Sequence, residues 1–529
     1  VTYQNYNDEK VRILGGKPVT GWSDSDGDGI YEADVTGRND FYALFEDGER
    51  LTAAKETNWK GISVKDISHM QAVYGGPTNW FGEVLKVKTF DGNNLTTNYA
   101  PGNMSGGLWF LQGAKEYIDE PGEWAVEGNT VYYKPLDGTD PSDNEVIAPK
   151  AERIFYLKGT EETPIKNIVI DGLSLEMNAF GEDLRAHANG NVTAEHQSNL
   201  KGIVDLDNTT DITVKNCSIT GGGYMAVMLN HYSQNNMVYG NYIEDTGYAG
   251  LFLIGENPGS LNYINKNNTI SNNEIKNVGK FVGHGSGIYL INSGENTITH
   301  NNISGLNRYG ISMKGIRYGV FADNGVTGVP FEDHYQYNQT TGNYIGYNVI
   351  YNTGMYSADG GGVEGWGIGR DNWIDHNIIY NAYRGVATTG WRGHSIFTDD
   401  ATHHTMVTNN IIYDEDAVAA NAGTMMKSID NYVVNNVFDV GYAYDGAANI
   451  GGYLEPCGAM TFQNNIVYTE ATGSLNNDGT WNKDGNGDRI MIKLGDDYAT
   501  GTPTMESLAS MDRNLYYNAE GKAVFSILG

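Results

Sequence analysis

One short phrase returns nine times between residues 212 and 468, and it constrains the fold more than any other feature. The copies read ITVKNCSI, MVYGNYI, TISNNEI, TITHNNI, YIGYNVI, WIDHNII, MVTNNII, YVVNNVF and MTFQNNIV. Aligned on the residue two before the closing apolar one, they give Cys217, Asn241, Asn273, Asn301, Asn348, Asn377, Asn410, Asn436 and Asn465, at spacings of 24, 32, 28, 47, 29, 33, 26 and 29. A coil of about this length, carrying strands of a few residues each, is the unit of a right-handed parallel β-helix, whose coils stack roughly 4.8 Å apart. Apolar residues alternate within each phrase, as a half-buried strand requires. Asparagine tolerates left-handed backbone at a turn and can bond to its counterparts above and below. No leucine-rich or propeller consensus accompanies the period.

The expected fold class is therefore all-β: a right-handed parallel β-helix with an inserted β-sandwich-like module. Residues 1–11 read as the first β-helix strand and 161–529 as the main solenoid. Residues 12–160 lack the repeat and read as hairpins, for example YALFEDGERLTAAKETNW and GEWAVEGNTVYYKPLDG. The spacing of 47 marks a further insertion of about 20 residues near IRYGVFADNGVTGVPFEDHYQYNQTTGN, whose Tyr318, Phe321, His334 and Tyr335 are too aromatic for a plain linker.

With 65 acidic against 34 basic residues the net charge is −31, which excludes a nucleic-acid partner, since phosphates require a basic surface. No run of eighteen apolar residues is present, so no membrane partner is expected. Two cysteines, Cys217 and Cys457, make no disulfide framework, and Cys217 reads as a small buried hydrophobe. The opening VTYQNYNDEKVRILGG has neither a basic n-region nor an apolar h-region and reads as a processed start. An extracellular or periplasmic location and a monomeric state are expected.

The stretch MYSADGGGVEGWGIGRD breaks the repeat's style by placing three glycines between two carboxylates, Asp359 and Glu364. Glycine wastes packing surface in a strand, so another use is expected: bare backbone against which a sugar ring can lie. Glycosidic cleavage needs two carboxyl groups, and Asp399 and Asp400 stand on the next coil. If Val363 stacks on Ile396, then Glu364 lies over Phe397 and Asp399 level with Trp366. Glu364 and Asp399 then become diagonal neighbours about 7–8 Å apart. On that register Asp359 falls at the far end of the strand unless a bulge at the glycines returns it.

Several phrases resemble a known family. PGEWAVEGNTVYYKP is similar to the hairpin of β-helix glycoside hydrolases that carry a β-sandwich insertion, and ALFEDGERLTAAK is similar to a second hairpin of theirs. SADGGGVEGW and HSIFTDDAT resemble two of their later motifs, with Glu364 and Phe397 where tyrosines are usual. The resemblance is to glycoside hydrolase family 141, with family 120 a near neighbour. It implies hydrolysis of complex plant or algal glycans, with α-L-fucosidase or xylanase activity. It also implies that Asp359 and one of Asp399 or Asp400 are catalytic, whereas stacking alone favours a pair that uses Glu364.

Around these carboxylates, Trp366 and Trp391 suit stacking on sugar faces or capping of the core. Arg308, Lys314, Arg392 and His394 are candidate substrate-binding groups. Five of twelve arginines (Arg308, Arg317, Arg370, Arg384 and Arg392) fall between residues 308 and 392, fitted to a substrate carboxylate or sulfate or to the local acidic residues. No cofactor is required. His403 and His404 lack a third spaced ligand, so no catalytic metal is expected. DSDGDGIYEAD, with Asp24, Asp26 and Asp28, resembles the start of a calcium loop, although Val35 stands where an EF-hand needs glutamate, and makes structural Ca²⁺ the one metal candidate. The rival classes are a polysaccharide lyase using Lys314 or Arg317 as its basic group, and a non-catalytic glycan-binding β-helix.

Overall fold

A computed structural model of the chain describes all residues except 8, 39, 77–81, 103–105, 186–199, 257–263, 282–284, 323–324, 358, 383–392, 415–421, 441–445, 452–457, 470–473, 476–480, 483–489, 495–508, 520–523 and 528–529. Cys457, Arg384, Trp391 and Arg392 thus lie outside the described residues. Three long sheets of twelve parallel strands run the length of the solenoid, and each coil adds one strand to each. Sheet A begins with Thr2–Gln4, sheet B with Arg12–Leu14 and sheet C with Phe155–Lys158. One coil reads Met225–Asn230 in sheet C, Met237–Tyr239 in sheet A and Tyr242–Glu244 in sheet B. Inward positions stack in columns, such as Val204, Val227, Leu251, Ile288, Ile311 and Val363 in sheet C. All belong to one continuous buried cluster.

The turn between sheets A and B is held by the expected asparagines, from Asn241 to Asn465, continued by Asn514. Asn241 accepts the backbone N–H of Cys217, and each later rung accepts the backbone N–H and the side-chain Nδ2–H of the asparagine one coil earlier, as Asn377 does from Asn348 at 2.9 and 3.0 Å. Its own Nδ2 donates to Ile345 O and to the next rung, Asn410. The rungs are buried and their bonds complete, which makes them rigid and costly to break. The left-handed backbone was expected at these asparagines but falls on the residue before each: Asn272, His300, Tyr347, His376, Asn409, Asn435 and Asn464 have φ between 54° and 62°. A second ladder, Asn236, Asn268, Asn296, Asn343 and Asn372, holds the turn between sheets C and A in the same way.

The inserted module begins with Gly16–Pro18, which pairs antiparallel with Val146–Pro149. Arg12–Leu14 and Phe155–Lys158, placed by sequence inside residues 12–160, are instead β-helix strands, because their alternation continues the inward columns of sheets B and C. The module consists of largely antiparallel sheets, one of which recruits Leu184–Arg185 from the solenoid. Val73 and Val84 of that sheet pack with Met228, Phe252 and Tyr289 on the outer face of sheet C. Among the described residues no helix is long and apolar enough to cross a membrane.

Replacing a rung strips partners from several buried polar groups at once. Asn377→Ala is expected to destabilise the protein by about 3 kcal/mol, on the scale of 1–3 kcal/mol per buried group left unsatisfied. A urea midpoint unchanged from wild type would contradict the ladder's role.

Candidate active site

Beyond the module's cover, the outer face of sheet C turns from apolar to charged. Its outward column runs Met228, Phe252, Tyr289 and then Ser312, Glu364 and Phe397. Val363 pairs with Ile396 and Glu364 with Phe397, the register read from the sequence. Asp399 N donates to Gly365 O, which keeps Asp399 level with Trp366.

Four carboxylates converge here, each with a cation from a neighbouring coil. Asp359, on the loop before Gly361–Trp366, forms an ion pair with Arg308 and accepts from Tyr309 OH at 2.8 Å. Arg308 Nε also donates to Asp359 O at 3.0 Å, so the loop and the side chain are pinned together. Glu364 forms an ion pair with Lys314 and accepts from Ser312 Oγ at 2.5 Å. Lys427 Nζ lies 2.7 Å from Asp399 Oδ1 and 3.3 Å from Asp400 Oδ1. Arg317 Nη1 approaches Asp400 Oδ2 only to 4.0 Å. Side-chain exposure separates the acids: 27% for Asp359 and 16% for Asp399, against 9% for Asp400 and 1% for Glu364.

Their protonation differs as well. Burial works against the charge on Asp359, but Arg308, Lys314 and the Tyr309 hydroxyl together hold its carboxyl below the usual range. Burial, reinforced by the Asp399 charge, pushes Asp400 up to about 6 against the pull of Lys427 and Arg317. Burial also raises Glu364, against Lys314 and Arg308. Lys427 is raised because Asp399 and Asp400 outweigh its burial. Burial and then Lys427 push His394 down to about 3, opposed by both Asp399 and Asp359. Tyr309 likewise feels Asp359 and Asp399 together. The two more accessible acids thus act on the same Tyr309 and His394, although they leave the strands at opposite ends.

The floor between them is aromatic. His394 packs on Phe397 with ring centroids 4.7 Å apart, and Tyr309, Phe397 and Met425 form one buried cluster. Trp366 is 7% exposed and covered by cations, with Lys314 Nζ 5.8 Å and Arg317 Cζ 5.4 Å from its ring. It is not an open stacking platform, because those two side chains occupy its environment. Arg308, Lys314 and His394 are likewise buried, the first two within ion pairs.

The glycines are not a bare floor. A Cβ on Gly361 would stand 1.8 Å from His394 O, and one on Gly362 would meet Ser395 O at 2.5 Å and Ile379 Cγ2 at 2.6 Å. They let one coil's backbone close on the next. Gly250, Gly287 and Gly310 meet Ile275, Ile303 and Ile350 in the same manner on earlier coils.

Two walls stand at the ends. Tyr356, three residues before Asp359, packs on Trp109 of the inserted module at 5.2 Å. The 318–337 insertion, with short helical turns at Tyr318–Val320 and Phe331–Tyr337, brings His334 within 5.1 Å of His403 beside Asp400. Asp24, Asp26 and Asp28 lie far along the chain in an exposed turn of the module, their ligand oxygens within 4.8 Å of one another, a spacing that suits a hard, oxygen-seeking cation.

Sequence reading missed Lys427 and Tyr309. Lys427 follows Met426, which pairs with Thr398, so it occupies the column of Trp366 and Asp399 one coil on. That register was the available signal.

A family profile described as "Right handed beta helix region" matches residues 154–324. The chain folds as a right-handed parallel β-helix. A solved structure described as a glycoside hydrolase aligns over 98% of this chain and 82% of its own, with 16% identity and a TM-score of 0.53. The complex of XylC with xylose aligns over 83% and 66%, with 14% identity and a TM-score of 0.48. An alginate lyase from Paenibacillus sp. str. FPU-7 aligns over 70% and 85%, with 16% identity and a TM-score of 0.30. At these identities the likeness is one of fold. A search of curated proteins returned no match.

A carboxyl whose pKa is raised by folding stabilises the folded state below its unfolded value, near 4, and that contribution is lost as pH rises through the folded value. Asp400, at about 6, is therefore expected to lower wild-type stability by about 3 kcal/mol between roughly pH 4 and pH 7, relative to Asp400→Asn. Urea midpoints of the two proteins across that range check the difference; parallel curves would contradict it.

Proposed function

We propose that the chain is a glycoside hydrolase acting on a complex plant or algal polysaccharide or oligosaccharide, α-L-fucosidase- or xylanase-like in its chemistry. The observation that carries this reading is that Asp359 and Asp399 act on the same Tyr309 and His394, with Asp359 kept ionised and Asp400, which shares Lys427 with Asp399, kept protonated up to about 6. Hydrolysis of a glycosidic bond needs one carboxyl that donates a proton and one that receives it or attacks. In this reading Asp359 is the base or nucleophile. The Asp399–Asp400 pair, bridged by Lys427, supplies the proton to the leaving oxygen. Glu364, 1% exposed and paired with Lys314, positions Lys314 rather than reacting. Arg308 and Tyr309 position Asp359 in the same way.

The lyase alternative needs a free basic group. Lys314 is 3% exposed and committed to Glu364, which weighs against that residue and leaves Arg317 as the lyase's candidate basic group. An extracellular or periplasmic location, a monomeric state and a Ca²⁺ ion at Asp24, Asp26 and Asp28 complete the proposal.

Proton transfer of this kind contributes about 10²–10⁴-fold, so Asp359→Asn and Asp399→Asn are each expected to lower kcat by that order. Because the donor must hold its proton, kcat/KM is expected to fall as pH rises above about 6. The assay is a panel of defined glycans scored for new reducing ends; ultraviolet-absorbing unsaturated ends would mark a lyase instead. Full activity in Asp359→Asn sinks the assignment. Chelation is expected to lower the melting temperature of the wild type and leave an Asp24→Asn, Asp28→Asn variant unmoved.

A further inference from the structure

Among the described residues the site holds four cations for four acids, and three of them are committed. Arg308 is held by the Asp359 carboxylate and backbone, Lys314 by Glu364, and Lys427 by Asp399 at 2.7 Å and Asp400 at 3.3 Å. Arg317 differs. It lies over Trp366 from one coil earlier, its Cζ 5.4 Å from the indole centroid, and among the described residues makes a single loose approach of 4.0 Å to an acid, Asp400 on the coil after Trp366. Its Nε is buried and has no hydrogen-bond partner among the described residues. Its side chain is 21% exposed, so the guanidinium can be reached from outside.

A guanidinium set over an indole, with its Nε unpartnered and only a 4.0 Å approach at Nη1, can take a carboxylate or sulfate through paired N–H bonds. An unsatisfied buried N–H also carries a desolvation cost that such a ligand would relieve. When Asp400 carries its proton, Arg317 loses its one ion-pair partner among the described residues, so a donor-ready site leaves this cation unbalanced. The negative charge of the rest of the chain does not remove that preference, because charges beyond about 8–10 Å are largely screened at physiological salt.

Resting on the hydrolase reading above, we propose that Arg317 binds an oxyanion on the sugar beside the scissile bond, so that the substrate is an acidic glycan bearing a uronate carboxylate or a sulfate ester. Arg317 is then a specificity residue that holds substrate, while the proton-transfer groups are those already named.

The test compares matched oligosaccharides in three forms: uronate-bearing, sulfated, and the neutral counterpart with the carboxyl reduced or the sulfate removed. Wild type and Arg317→Met are assayed on each, and Arg317→Lys serves as the conservative variant. Arg317→Met is expected to raise KM for one acidic form 10- to 100-fold with kcat little changed, to leave the neutral form unmoved, and to be partly rescued by lysine. The acidic form affected identifies the oxyanion. An equal loss on acidic and neutral substrates, or a wild type that favours the neutral form, overturns the proposal. Binding is measured separately by calorimetry with the full-length Asp359→Asn protein, with and without Arg317→Met. Arg317-dependent preference for an acidic glycan in a protein that cleaves none would uphold this inference and refute the hydrolase reading; cleavage without that preference would do the reverse.

Discussion

Everything in this molecule depends on the side-chain amide that closes each turn between sheets A and B. A parallel solenoid turns a corner every few residues, and each corner leaves backbone N–H groups pointing inward, away from water. Unpaired, each would cost more than the neighbouring apolar contacts return. Asn273, Asn301, Asn348 and their successors answer that need with one residue, accepting two N–H bonds from one neighbour and donating onward. The rung fixes the vertical alignment of the coils as well as their stability. That alignment places Asp359 over the Arg308 coil and brings Lys427 beneath Asp399.

The site follows from this alignment more than from any local motif. Side chains that touch in a β-helix are separated by a coil or more in sequence, so the ion-pair partners of the site lie 27 to 83 residues apart, as Lys427–Asp400 and Arg317–Asp400 show. Register is therefore what a reader of the sequence must get right. Where the repeat was regular, as at Val363 over Ile396, the contacts could be read directly. Asp399 and Trp366 came out level for the same reason.

The failures have a common physical cause. Asparagine was expected to supply left-handed backbone and rung together, but the two tasks fall on adjacent residues. A buried rung needs a fixed amide orientation, while the left-handed position lies outside it and accepts Asn272, His300 or Tyr347 alike. The glycines were misread because sequence cannot tell a glycine that admits a ligand from one that admits a neighbouring strand. At Gly361 the neighbour is His394 O, close enough to exclude even a methyl group. Trp366 was read as a platform because nothing in its own stretch shows that Lys314 and Arg317, from one coil earlier, lie over it. The second asparagine ladder escaped notice because rungs such as Asn236 and Asn268 stand just before the repeated phrase, and the alignment was anchored inside it.

Why the charges gather where they do is settled by the inserted module. Sheet C presents one continuous outward face, and a solenoid strand buried on both sides must be apolar throughout. Under the module the face is apolar: Met228, Phe252 and Tyr289 meet Val73 and Val84. One coil further the cover ends, and the same columns carry Ser312, Glu364, Lys314 and then Asp399 and Lys427. Fully buried, these groups would face a desolvation cost that pairing alone rarely repays. Fully exposed, they would be screened and their protonation states would stay near ordinary values. The edge of the cover supplies the intermediate condition, dry enough to raise Asp400 and open enough to leave Asp359 reachable. By ending where it does, the insertion selects which coil of an otherwise repetitive surface can hold acids that are neither fully buried nor fully exposed.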